Sequence, residues 1–270
     1  MTFRPFIPKP NRVLATLAKG ETPMGMQLYT CSPEMIEIVG YTGFDFVMID
    51  MEHTRVNVET MVHCIRAAEV SGITPMVRVI ENSPAHIRAA VEAGAQAIVV
   101  PHVKNAQEAQ RAIEALRYPP EGKCGICPAI RASYYSQDGW EEYMAHSNRE
   151  TMFIPLLEDV EGIENAEEIF ALLKPGRDAI GVGLADISNS LLKPGEKVNW
   201  QHPYLNEAMT KVRAISEKTG IPMKGMPWPK ADLASTKAAL ANGVKILIYF
   251  PDLYFWYETC RNIIKEVIII

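Results

Sequence analysis

The sequence predicts a (β/α)₈ barrel. Three observations point to the barrel: eight short apolar runs, a helical pattern between successive runs, and 270 residues, about the length such a barrel needs. The runs are Met24–Thr30, Asp45–Met51, Thr74–Val79, Ala97–His102, Phe153–Glu158, Ala179–Gly183, Ile221–Met226 and Lys245–Phe250. They are continuous rather than alternating and rich in Val, Ile, Leu and Met, as expected of parallel strands buried on both faces.

The stretches between the runs carry helix start and stop signals. Ser32-Pro33-Glu34 reads as an N-cap with proline at the first helical position, and Asn82-Ser83-Pro84 repeats it. Asn57 leads into a helix through Val70 that Ser71-Gly72 closes, and Asn105-Ala-Gln-Glu108 opens another. Gly94, Gly220 and Gly243 mark further helix ends. An open doubly wound sheet shares this alternation, but its GxGxxG signature is missing, and Gly181-Val-Gly183 lacks the third glycine.

Composition narrows the class. With 48% hydrophobic and 22% charged residues the chain can bury a large core, and with no linker or composition shift we expect a single domain over 1–270, opening with an N-terminal arm and helix at 1–20. A formal charge of −5 argues against nucleic-acid or anionic-membrane partners. The first ten residues hold three prolines and no signal-type apolar stretch, and no run approaches the roughly 18 residues of a membrane span. Five scattered cysteines fit a reducing compartment, so a cytoplasmic location is expected; the lone Cys124-Gly-Ile-Cys127 reads as a loop rather than a redox or zinc site.

In a barrel of this kind the active site lies at the C-terminal ends of the strands. There the runs deliver Asp50-Met-Glu-His53, Arg78, Glu158 and Leu184-Ala-Asp186. Glu158 and Asp186 follow adjacent strands. Singly each is as readily a helix cap or a surface acid, but two carboxylates facing each other need a cation, and a hard divalent ion suits them. Arg78, after an apolar run, needs an anionic partner, either a substrate oxygen or a structural salt bridge. His53 stands three residues from Asp50, whose carboxylate is expected to orient the imidazole as a general base. His102 ends the fourth run and is expected to point into the same pocket. His63, His86, His146 and His202 fall on helices or loops and are read as structural.

These residues resemble the HpcH/HpaI aldolase/citrate lyase family, the metal-dependent class II pyruvate aldolases typified by 4-hydroxy-2-oxoheptanedioate aldolase. The resemblance runs from about Met24 to Gly243. It is carried by Gly43-Phe-Asp-Phe-Val-Met-Ile-Asp50-Met-Glu-His53, Pro75-Met-Val-Arg78, Glu92-Ala-Gly-Ala-Gln-Ala-Ile-Val-Val-Pro101, Arg117-Tyr-Pro-Pro-Glu-Gly-Lys-Cys-Gly125, Glu158 with Asn165 and Glu168, and Gly181-Val-Gly-Leu-Ala-Asp186-Ile-Ser188. It implies that Glu158 and Asp186 bind Mg²⁺ or Mn²⁺, with Co²⁺ also accepted, and that pyruvate chelates the ion. It further implies that Arg78 stabilises the enolate, that Asp50 and His53 serve the base, and that Glu52 hydrogen-bonds the waters around the ion. Ala185 would keep the backbone close to the pyruvate carboxylate. The implied reaction is cleavage or formation of a 4-hydroxy-2-oxo acid from a 2-oxo acid and an aldehyde. The implied fold is a barrel of the phosphoenolpyruvate/pyruvate type, and the implied assembly is a homo-oligomer, a hexamer or trimer of dimers, with the C-terminal helix exchanged between neighbours; the apolar end Val267–Ile270 suits burial against a partner and equally suits capping its own barrel.

The departures cluster where substrate would touch. Gln27 stands where the family has a tryptophan, Leu156 replaces a glutamine, Leu184 a proline and His102 an apolar residue, and the last strand ends in Ile248-Tyr-Phe-Pro-Asp252. A decarboxylase or other lyase using the same enolate, and a metal- or acid-binding barrel without turnover, are the competing readings.

Overall fold

The computed structural model describes residues 8–135 and 138–268. Eight parallel strands close in sequence order: β1 Met24–Leu28, β2 Phe46–Asp50, β3 Thr74–Arg78, β4 Ala97–Val100, β5 Met152–Leu157, β6 Ile180–Val182, β7 Met223–Gly225 and β8 Val244–Tyr249, with β8 pairing back to β1. The eight runs fall on these strands, but several overshoot. Met51, Val79, His102, Glu158 and Gly183 lie just beyond the last strand residue. They end apolar runs in sequence, yet they sit on the rim, where Met51, Val79 and Gly183 each still donate one backbone bond to the neighbouring strand.

Strand parity sorts the core into two layers. Phe46, Met48, Met76, Val99, Ile154, Leu156 and Ile248 fill the barrel interior. Their neighbours Val47, Ile49, Val77, Ile98, Phe153, Leu157 and Ile180 join the larger layer between strands and helices. This two-sided burial is why the strands read as unbroken apolar runs.

Helix α1 (Arg12–Ala18) plugs the end opposite the rim. Val13 is fully buried, and Leu14 and Leu17 pack against the interior cluster. Asn11 caps it, accepting from the Val13 and Leu14 amides, while its own amide donates to the carbonyls of Gln96 and Glu150 at 2.9 and 2.8 Å. Beside it a fully buried ion pair joins Arg117 to Asp178 at 2.8 Å, and the same guanidinium donates to the carbonyls of Thr151 and Asn148.

The outer layer starts where the caps indicate. The helices α2 (Pro33–Tyr41), α3 (Val58–Val70) and α5 (Ala106–Leu116) are capped by the side chains of Ser32, Asn57 and Asn105. Helix α4 (Pro84–Ala93) begins after Ser83, as its sequence indicates, but without a side-chain cap bond. Gly94 ends α4 and Gly220 ends α10 (Pro203–Thr219), both with left-handed backbone. Between them lie α6 (Trp140–Glu150), the short α7 (Val160–Glu164) and α8 (Ala166–Phe170), and α9 (Leu184–Ser190); α11 (Leu233–Ala241) precedes β8.

Helix α12 (Asp252–Ile268) leaves Trp256, Ile264, Val267 and Ile268 exposed; of the Val267–Ile270 end, residues 269–270 lie outside the described residues. The cysteines are free, with Cys124 buried and Cys127 exposed in a loop. Among the described residues no helix is long and apolar enough to cross a membrane.

Candidate active site

The rim is organised around Asp50. Register places it beside Arg78 on the neighbouring strand, both facing inward. The Arg78 guanidinium donates from Nε to Asp50 Oδ2 at 2.6 Å and pairs with the same oxygen through Nη2, while Nη1 lies 2.9 Å from Glu52 Oε2. Burial works against the Arg78 charge, but Asp50 and Glu52 outweigh it and raise its pKa above the ordinary value. Gln27, buried on β1, donates to Asp50 Oδ2 at 2.8 Å and braces the pair from the other side.

The other Asp50 oxygen is taken by backbone. Oδ1 accepts from the amides of Glu52 and His53 at 3.1 and 2.9 Å. This corrects the expectation that Asp50 orients the His53 imidazole: it orients the turn that carries the histidine. The ring itself lies 3.6 Å from Glu52 Oε2 and is half exposed to the cleft. A buried guanidinium on the next strand is a stronger claim on a carboxylate than a solvent-facing ring.

Glu158, one residue past β5, is buried, and its Oε2 accepts the His102 amide at 3.0 Å. His102 adopts a left-handed backbone (φ 52°), which costs a non-glycine residue about 1 kcal/mol or more. It thereby turns its ring between two carboxylates, Nε2 at 3.4 Å from Glu52 Oε1 and Nδ1 at 3.7 Å from Glu158 Oε2. Ligand atoms of Glu52, His102 and Glu158 all lie within 4.8 Å of one another, a spacing one ion can bridge. Burial pushes the Glu52 carboxyl up; Arg78 pulls it down and Glu158 pushes it up again. Its Oε2 is buried and, despite the nearby guanidinium, lacks an aligned hydrogen bond. An incompletely satisfied carboxylate beside a second carboxylate and an imidazole is the donor set a divalent cation fits.

Asp186 stands apart from that trio. It lies in the first turn of α9 rather than at a strand end, and lines the cleft with Leu184 and Ala185. Among the described residues its carboxylate has no hydrogen-bond or ion-pair partner. Gly183 lets Glu158 approach: a Cβ there would sit 2.5 Å from Glu158 Oε1. The cleft is open, of about 810 Å³, and runs from Gln27, His53, Arg78 and Glu158 across Gly183–Asp186 to Trp200, His202 and Arg213.

Residues 24–246 match the HpcH/HpaI aldolase/citrate lyase family. The chain belongs to this family. A 2-dehydro-3,6-dideoxy-6-sulfogluconate aldolase from Pseudomonas putida is 33% identical to it over 209 residues, 76% of this chain and 79% of that protein. A 5-keto-4-deoxy-D-glucarate aldolase from Salmonella paratyphi A is 32% identical over 213 residues, 79% and 80% of the two chains. The solved structure of an HpcH/HpaI aldolase/citrate lyase family protein from Burkholderia cenocepacia J2315 matches with a TM-score of 0.84 at 25% identity, covering 95% of this chain and 99% of that one. As a member of the HpcH/HpaI family the chain is a carbon–carbon lyase of the class II aldolase type. The family is generally dependent on a divalent metal, binds small-molecule substrates and is commonly oligomeric.

Two further side chains of this family member's cleft were not singled out by the sequence, Tyr29 at the end of β1 and Lys224 within β7. Tyr29 follows β1, and burial first, then Asp50, raise its pKa while Arg78 acts against them. Lys224 sits in the middle of β7, where it interrupts the apolar run Ile221–Met226. The interruption is visible in the sequence. Its meaning depends on parity, since an outward lysine on the same strand would be an intruder in the helix layer.

Proposed function

We propose that this chain cleaves and forms 4-hydroxy-2-oxo acids, with a pyruvate-type 2-oxo acid and an aldehyde as the two halves. The observation that carries the reading is Arg78, locked by Asp50 and Glu52 on the rim it shares with Glu158. The named aldolase relatives, which act on deoxy sugar acids, support the same substrate class.

Cleavage breaks the bond between C3 and C4, leaves negative charge on the keto oxygen and removes a proton from the 4-hydroxyl. Arg78 is the donor for that oxygen; held charged and fixed by two carboxylates, it needs no reorganisation as the charge develops. His53 takes the hydroxyl proton. Its ring is open to the cleft, and Glu52 beside it stabilises the imidazolium. Asp50 acts on both by fixing the guanidinium and the His53 backbone. Gln27 and Ala185 contact the 2-oxo acid.

Glu158 and Asp186 would hold a divalent ion, Mg²⁺ or Mn²⁺, beside Glu52 and His102, whose ligand atoms lie within 4.8 Å of each other and of Glu158; an imidazole nitrogen also suits Co²⁺. When bound, the ion supplies Lewis-acid stabilisation of the substrate's oxygens. The working form is a homo-oligomer of cytoplasmic location, built through the exposed apolar face of α12.

The test is exchange of the pyruvate methyl protons in D₂O with Mg²⁺, followed by NMR. Metal-dependent exchange that disappears in Glu158→Ala and Asp186→Ala is expected. Failure to exchange with any divalent ion overturns the pyruvate-type enolate, and exchange that survives both substitutions overturns the metal assignment.

A further inference from the structure

Among the described residues Lys224 is a cleft cation with no counter-charge in contact. On β7 Met223 points into the helix-side layer and Lys224 into the barrel, in register with Gly181 on β6 and Ile246 on β8. Gly181 makes room for its inward neighbour Leu156. A Cβ there would meet Leu156 Cδ2 at 2.3 Å but Lys224 Cε only at an ordinary 3.6 Å, so the glycine admits Leu156, and the lysine shaft passes alongside. The ammonium reaches the cleft that also holds Arg78 and Glu158.

Among the described residues that ammonium has neither a hydrogen bond nor an ion-pair partner. The other charges act on it only from a distance. Burial lowers its pKa to about 8 and Arg78 adds to the effect, while Glu158 and Asp50 oppose it. Arg78, by contrast, has its charge matched by Asp50 and Glu52 in direct contact. A cation set among apolar side chains without a partner is costly unless something brings it an anion. What enters this cleft on the reading above is itself an anion.

We propose that Lys224 is a substrate-binding residue whose ammonium takes an anionic oxygen of the bound 2-oxo acid from the floor of the barrel. The inference rests on the 2-oxo acid reading of the cleft. It adds a recognition group from β7, the side of the barrel opposite the Asp50–Arg78 pair, and no covalent step. The shaft passes alongside Leu156 and Gly181, so the contact is positioned by the barrel wall rather than by a loop.

The probe is oxalate, a planar dianion that does not turn over, titrated calorimetrically into the Mg²⁺-loaded protein. Lys224→Met should weaken oxalate about tenfold or more, the usual loss for one charged hydrogen bond. Lys224→Arg should restore most of it, and Mg²⁺ binding measured separately should be unchanged. Oxalate affinity in Lys224→Met within about twofold of the parent overturns the role, as does failure of the parent to bind oxalate. Borohydride trapping of pyruvate on Lys224 would replace the ion-pair role with an imine. Proton exchange on pyruvate is scored independently. Exchange with an indifferent Lys224→Met refutes only this inference, and oxalate binding that needs Lys224 without exchange refutes only the enolate reading.

Discussion

Replacing Lys224 by methionine should make the metal-free protein more stable near neutral pH. Methionine keeps most of the shaft beside Leu156 and Gly181 and removes the charge. The fall from an ordinary lysine value of 10.5 to about 8 corresponds to about 3 kcal/mol. Because Lys224 is only partly buried along the cleft, screening reduces the expected gain to about 1–2 kcal/mol. The sign follows from the folded pKa lying below the unfolded one. The penalty is fully present below pH 8, fades as pH rises, and is gone above 10.5, where both states are neutral. Urea midpoints for parent and Lys224→Met at pH 7 and pH 10 provide the comparison. The variant should lead at pH 7 and lose most of that lead at pH 10. A variant no more stable than the parent at pH 7, or a lead that ignores pH, would refute the claim that Lys224 is a strained, unpaired cation.

Three further outcomes are expected. Gly183→Ala puts a methyl group 2.5 Å from Glu158 Oε1, so Mg²⁺ affinity by calorimetry should fall about tenfold while the melting temperature changes little. Asp178→Ala strands the buried Arg117, whose pKa burial already lowers to about 10; it should cost about 3–5 kcal/mol in urea unfolding, with pyruvate exchange per folded molecule unchanged. Asp50→Asn takes from Arg78 its closest counter-charge and leaves Glu52; exchange should drop about a hundredfold, and a drop under threefold would show that the guanidinium positions itself.

The barrel was legible because parallel strands buried on both faces leave no ambiguity of face: Met152–Leu157 and Ala97–Val100 are apolar throughout. Strand ends were less so. Glu158 and Gly183 look like the last residues of apolar runs, but a strand stops where its pairing with its neighbours stops, and that is not written in its own residues: Gly183 still donates to Leu157 and yet lies past the end of β6. Convergence of Asp50, Arg78 and Glu158 on one rim followed from the fold alone. Which atom each would hold did not. Asp50 had a nearby histidine in sequence and a nearby arginine only in space, and the arginine took one oxygen while backbone took the other. Lys224 was hidden for a related reason: a strand of three residues gives too short a pattern for parity to be read without its neighbours.

The charges of the cleft argue for the order in which it is filled. Asp50, Glu52, Glu158 and Asp186 supply four carboxylates around two permanently or mostly charged bases, Arg78 and Lys224. Arg78 offsets only one of the two carboxylates it touches, so even with Lys224 counted two negative charges remain unmatched where the proposed 2-oxo acid would approach. A divalent cation held there would offset that excess and turn a cleft that repels an anion into one that accepts it. Lys224 alone does not reverse the balance, but it is a cation on the barrel floor with no carboxylate in contact. The same residue that costs stability in the empty barrel thus gives the occupied one a fixed anionic subsite, an arrangement in which strain carried by the free protein is relieved on binding.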